Sequence, residues 1–184
     1  MYGDRVTGIF FDRAADSNDG ASVAPVFRRL RDHVLQLDPG GVTVLNLGME
    51  APPAFADVAD VLVTFEGSCD DYLATGTAAG FEPLSWQPHP TQKIWHIVHH
   101  ALSPAQAEEV VALSRQRGAG LLYVTDGCGA NPYSSLPSEC VWATVTAGAD
   151  VDACAEAAET LTRSTPGIGS GLPRVLRRDD GMHG

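Results

Sequence analysis

The side chains best suited to chemistry in this chain sit where short apolar runs stop. The run from Val6 to Phe11 leads into Asp12, and Val42 to Leu47 carries Asn46. Asp60 to Phe65 leads into Glu66, Lys93 to Val98 into His99, and Gly120 to Thr125 into Asp126. Asp12 and Glu66, which end the first and third runs, are a carboxylate pair. Such a pair suits cleavage of an acetal: one carboxyl group protonates the leaving oxygen and the other attacks or activates water. If the runs are strands that neighbour one another in chain order, a strand spacing of about 4.8 Å puts the two backbones about 10 Å apart. Inward-leaning side chains then bring the carboxyl groups toward the roughly 5–9.5 Å separations that glycoside cleavage uses.

The elements that must position these groups follow from hydrophobic periodicity. The runs are apolar on both faces, as parallel strands covered by helices are. Between the first two, Val23, Val26, Phe27, Leu30, Val34 and Leu37 recur at helical spacing and predict one buried stripe on a helix from about Ser22 to Asp38. Pro39-Gly40-Gly41 ends it. Short helical turns are expected within Pro52–Ala59 and Asp70–Thr75, and the stretch 76–92 is rich in Pro and Gly. The helix after the fourth run is the best signalled. Ser103 can cap it, Pro104 suits its first turn, Gln106 completes a capping box and Gly118 stops it. Weaker helices are expected over Ser138–Ala147 and Asp150–Arg163. Strands alternating with helices predict an α/β domain with a parallel sheet and right-handed crossovers, over residues 1–163. Residues 164–184, rich in Gly, Pro and Arg, read as a disordered tail. In parallel α/β folds ligands bind at the carboxyl ends of the strands, so the five polar residues form a candidate rim.

Composition removes several function classes. A formal net charge of −11 argues against a nucleic-acid binder, which needs a basic footprint. A cationic polymer is compatible, although an acidic surface by itself speaks mainly of solubility. Cys69, Cys128, Cys140 and Cys154 form no C-x-x-C pair, so reduced thiols are expected rather than a zinc site or a disulfide scaffold. On a strand, His96 and His100 share one face and His99 points to the other, so no metal site is expected. Gly167-Ile168-Gly169-Ser170-Gly171 follows no strand, and no cofactor is expected. No apolar run reaches membrane-spanning length, and Met1 to Arg5 is not a signal peptide. A cytoplasmic protein is expected as the chain is written, or a secreted one if a segment precedes it.

Four stretches in order, Gly8-Ile9-Phe10-Phe11-Asp12, Val44-Leu45-Asn46-Leu47-Gly48, Ala59 to Gly67 and Asn131-Pro132-Tyr133-Ser134-Ser135-Leu136-Pro137, resemble the spherulin-4 (spherulation-specific family 4) proteins. The resemblance runs from about Val6 to Pro137. It implies a (β/α)8 TIM barrel of which this chain carries the last five β/α units, and glycoside hydrolase activity of the endo-α-1,4-N-acetylgalactosaminidase type on galactosamine-containing polysaccharide. Asp12 and Glu66 match acidic residues of the family's cleft. Arg13, Asn46, His99, Asp126, Asn131 and Tyr133 are the expected substrate-binding residues. The family has a Glu directly after the first Asp, where this chain has Arg13, and an Asn-Pro-Gly where this chain has Asn46-Leu47-Gly48. Five strands cannot close an eight-stranded barrel, so open sheet edges are expected, and with them either a longer natural protein or self-association.

Three readings therefore stand: a spherulin-4-type glycosidase, a non-catalytic carbohydrate-binding or developmental protein on the same scaffold, and an open-sheet α/β enzyme with a small-molecule substrate. Strand order separates the third from the other two.

Overall fold

A computed structural model of the chain describes residues 6–14, 20–74, 80–88 and 92–147. The described residues form five strands and four helices: β1 (Gly8–Phe11), α1 (Gly20–Leu37), β2 (Val42–Asn46), β3 (Val61–Ser68), α2 (Cys69–Leu73), β4 (Lys93–His99), α3 (Pro104–Gln116), β5 (Leu121–Val124) and α4 (Glu139–Ala147). A 3-10 turn at Pro53–Phe55 joins β2 to β3. The expected helix over 150–163 and the tail over 164–184 lie outside the described residues.

All four strand pairings are parallel, and the order in the sheet is β1-β2-β3-β4-β5. Strictly sequential order is that of a barrel wall. A doubly wound open sheet reverses direction at a switch point, so the small-molecule open-sheet reading loses its support. The sheet is also strongly curled. β1 and β4 are three strand spacings apart, which is about 14 Å in a flat sheet, yet the rings of Phe10 and Trp95 meet edge to face at 6.0 Å. The five strands thus form an arc of a parallel β/α barrel, with helices outside and a concave inner face.

Alternation sends every second side chain outward. Leu45, Leu62 and Ile94 pack with Phe55 and Val58 in one buried cluster. Phe65, Val98 and Val124 pack with Tyr72, Val110 and Val141 in another, beneath α2, α3 and α4. Arg31 of α1 pairs with Asp60 at 3.0 Å, and Asp60 also accepts hydrogen bonds from the Thr43 N–H and Oγ1, both at 2.8 Å, which ties α1 to the feet of β2 and β3.

Two sequence expectations need correction. The α1 stripe is only partly buried. Val34 is covered and Val23 and Phe27 pack against the core, but Val26 and Leu30 are exposed and Leu37 is 75% exposed. β1, which α1 follows in the chain, is an edge strand of the described sheet. The α3 capping box is altered as well. Ser103 Oγ accepts from the Gln106 N–H at 3.2 Å as expected, but Gln106 Oε1 accepts from Leu102 N–H at 3.0 Å rather than from Ser103 N–H.

Candidate active site

The concave face carries a cleft of about 350 Å³ at the carboxyl ends of the strands, lined by Phe10, Asp12, Asn46, Glu66, Trp95, Ile97, Tyr123 and Tyr133. Asp12 lies just past β1. Asn46 is the last residue of β2. Glu66 lies within β3, which continues to Ser68 rather than stopping at Phe65 as the sequence suggests. The register of β3 against β4 shifts between Val63 and Phe65. Plain alternation from the outward-facing Leu62 would turn Glu66 to the helix side. The irregularity adds one residue, so Phe65 packs under α2 and Glu66 reaches the concave side. Gly67 makes room for this: a Cβ there would stand 2.9 Å from the Phe65 ring.

Asn46 joins the two carboxylates. Its Nδ2 donates to Asp12 Oδ1 at 2.9 Å and to Glu66 Oε2 at 2.5 Å. One nitrogen bonded to both holds those oxygens within about 5.4 Å of each other. The other oxygen of Glu66, Oε1, accepts the Tyr133 hydroxyl at 2.7 Å. Asn46 is buried and its Oδ1 has no partner among the described residues. The Tyr133 phenol is pushed well above its ordinary range, by burial first, then by its bond to Glu66 and by the charges of Glu66, Tyr123 and Asp12.

The remaining expected site residues divide. His99, the last residue of β4, stands beside Tyr133 with ring centroids 6.3 Å apart. Its imidazole is lowered by burial and by His100, against the opposing charges of Glu66 and Asp71. His100 does not follow the strand alternation expected of it. It leaves the strand at φ 60°, and its Nδ1 lies 2.5 Å from His99 Nδ1. His96 faces outward as a core residue, its Nδ1 2.7 Å from the Tyr72 hydroxyl.

Arg13, His99, Asp126 and Asn131 do not line the cleft. Arg13 follows β1 at φ 52° and is exposed. Asp126 accepts the Ser138 N–H at 2.9 Å, next to the start of α4. Asn131 Oδ1 accepts the Tyr133 N–H at 3.0 Å, so it shapes the loop that carries Tyr133. Sequence reasoning missed the floor of the cleft, Phe10, Trp95, Ile97 and Tyr123. The signal was period-two alternation: Phe10 precedes Asp12 by two residues and Ile97 precedes His99 by two. Among the described residues, no group of three or more His, Cys, Asp or Glu side chains converges on a metal position, and no helix is long and apolar enough to cross a membrane. Cys69, Cys128 and Cys140 are thiols; burial pushes Cys69 up to about 11, which leaves it inert at neutral pH.

Over residues 2–148 the chain matches the sequence model of spherulation-specific family 4. It belongs to that family. No curated protein matches it. Among solved structures it is similar to Sph3 of Aspergillus clavatus, crystallised in complex with GalNAc, with a TM-score of 0.50 and 19% sequence identity over 74% of this chain. The chain spans 55% of the length of that structure. At this identity the likeness concerns the fold. It agrees with the arc of sequential parallel strands.

Proposed function

We propose that this spherulin-4 chain is a glycoside hydrolase acting on amino-sugar polysaccharide of the N-acetylgalactosamine type, with Asp12 and Glu66 as its catalytic carboxyl groups. The observation that carries the reading is the single Asn46 nitrogen bonded to both carboxylates. It sets two carboxyl groups from different strands side by side at the end of a barrel arc. The floor beneath them supports a sugar. A pyranose has an apolar C–H face and a hydroxylated edge, and Phe10, Trp95 and Tyr123 offer rings to the first while Asp12, Asn46 and Glu66 offer polar atoms to the second. The sugar class is supported by the GalNAc bound to Sph3 and by the family resemblance.

In this reading one carboxyl group protonates the glycosidic oxygen as the bond to the anomeric carbon breaks, and the other attacks that carbon or activates water against it. The closeness of the two groups favours direct attack, which uses separations of roughly 5–5.5 Å, over an intervening water. Oligosaccharide release from an N-acetylgalactosamine-rich polymer tests this. Asp12→Asn and Glu66→Gln are each expected to lower the rate about 10²- to 10⁴-fold. Equal rates for wild type and Glu66→Gln would remove Glu66 from the mechanism.

A second reading is a carbohydrate-binding protein without turnover. Its support is the exposed Arg13 beside Asp12, at the position where the family pattern has a second acid. Binding of the polymer with no release of product distinguishes it.

A further inference from the structure

We propose that Tyr133 is a positioning residue for Glu66, its hydroxyl delivered by the loop after β5 to fix how that carboxylate faces Asp12. The proposal rests on the reading of Glu66 as a catalytic group, but the contact itself is testable without turnover. A glutamate carboxyl turns easily about its last torsion, a broad sp³–sp² rotation. With Asn46 alone holding Oε2, Glu66 would pivot about that bond. A second donor on Oε1 pins the carboxyl plane, and Tyr133 supplies it from 67 residues away.

The loop is built to deliver this hydroxyl. Gly127 packs so closely on the chain that a Cβ there would fall 1.9 Å from the Pro132 carbonyl oxygen, and its own N–H is held by Thr125 Oγ1 at 3.0 Å. Asn131 turns the chain by accepting the Tyr133 N–H. Asp126 holds the far end of the loop through Ser138 N–H. Asp126 and Asn131, expected to touch substrate, therefore join Gly127 in placing one phenol. The ring stands 6.3 Å from both His99 and Tyr123. The charged and titratable groups facing it are Glu66 of β3, Asp12 after β1, His99 of β4 and Tyr123 of β5. Burial and the carboxylates push its ionisation up, so it keeps its proton to donate throughout the range in which a hydrolase works.

The experiment has two arms. In the first, the four tyrosines are labelled with ¹³C at Cζ and titrated by NMR, with the Tyr133 signal assigned by its loss in Tyr133→Phe. In Glu66→Gln, the Tyr133 titration is expected to move down toward that of an ordinary tyrosine. An unchanged titration would overturn the proposal. This arm needs neither turnover nor a folded Tyr133→Phe variant, since Tyr2→Phe, Tyr72→Phe and Tyr123→Phe together assign the Tyr133 signal by elimination. In the second arm, Tyr133→Phe is expected to lower kcat about 10- to 100-fold, with KM within about twofold and a displaced pH profile. A raised KM with unchanged kcat would make Tyr133 a substrate contact and overturn the positioning role. If wild type itself gives no product, the hydrolase reading fails and the first arm still decides the contact.

Discussion

Asn46 and Glu66 are joined by a 2.5 Å hydrogen bond from Nδ2 to Oε2, and the same nitrogen serves Asp12 at 2.9 Å. The amide has two orientations that are not equivalent. Turning it over would aim its carbonyl oxygen at two carboxylates. The orientation found avoids that repulsion and leaves Oδ1 without a partner among the described residues. Asn46→Asp keeps the shape and replaces the donor with a third carboxylate. It is expected to destabilise the fold by about 2 kcal/mol or more at pH 7 and to recover much of that loss at pH 4, where carboxyl groups take up protons. Urea unfolding at the two pH values checks this, and a deficit independent of pH would count against the bridge.

Gly127 places Tyr133 by letting two backbone segments touch. Gly127→Ala would drive a Cβ into the Pro132 carbonyl, so the loop must shift. The expected cost is about 1–3 kcal/mol, together with loss of the coupling between Tyr133 and Glu66. Thermal unfolding combined with the tyrosine titration measures both. A variant with wild-type stability and an intact Tyr133 titration would show that the loop adapts.

His96 predicts a pH dependence of stability. Burial first, then the nearby Arg117 guanidinium, pushes its imidazole down to about 4. The unfolded chain takes up that proton near pH 6.5, before the folded chain does. Stability from this group is therefore complete above about pH 6.5 and drains as pH falls toward 4, by about 3 kcal/mol in all. His99 is lowered too and acts in the same direction. In His96→Gln most of this slope should vanish, leaving the smaller share of His99. Urea midpoints at pH 7.5, 5.5 and 4.5 decide it, and parallel profiles for variant and wild type would defeat the assignment.

Asp60 acts at a lower pH. Burial pushes its carboxyl up, but the hydrogen bonds from Thr43 and the pairing with Arg31 outweigh it and hold the group below the usual carboxylate range. Its contribution is present above about pH 4 and is lost as pH falls through the lower folded value. Asp60→Asn is expected to cost about 1 kcal/mol at pH 7, given how exposed the group is. The gap to wild type should narrow below pH 4. Unfolding monitored from pH 7 to 3 tests it, and a constant gap would mean that the loss is one of packing.

The alternation of apolar runs with helical stripes determined the α/β class, the parallel pairing and the element order, because these follow from periodicities of two and 3.6 that a chain carries locally. The strand-end position of Asp12 and the role of Ser103 as a cap were legible for the same reason. The motif stretches around Phe11, Asn46, Glu66 and Tyr133 placed the chain in spherulin-4 before any coordinates. Tertiary structure alone decided the rest. The irregularity after Val63 turns Glu66 to the concave side, which strand alternation by itself would have denied it. The curl that brings Phe10 onto Trp95 makes a cleft of what a flat sheet would leave as a surface. Asp126 reads as a site residue because it ends the fifth apolar run, and Asn131 because it opens a family-like stretch, and only folding spends them on Ser138 and Tyr133. The partner of a polar side chain is set by which distant backbone the fold brings beside it, and no local period encodes that.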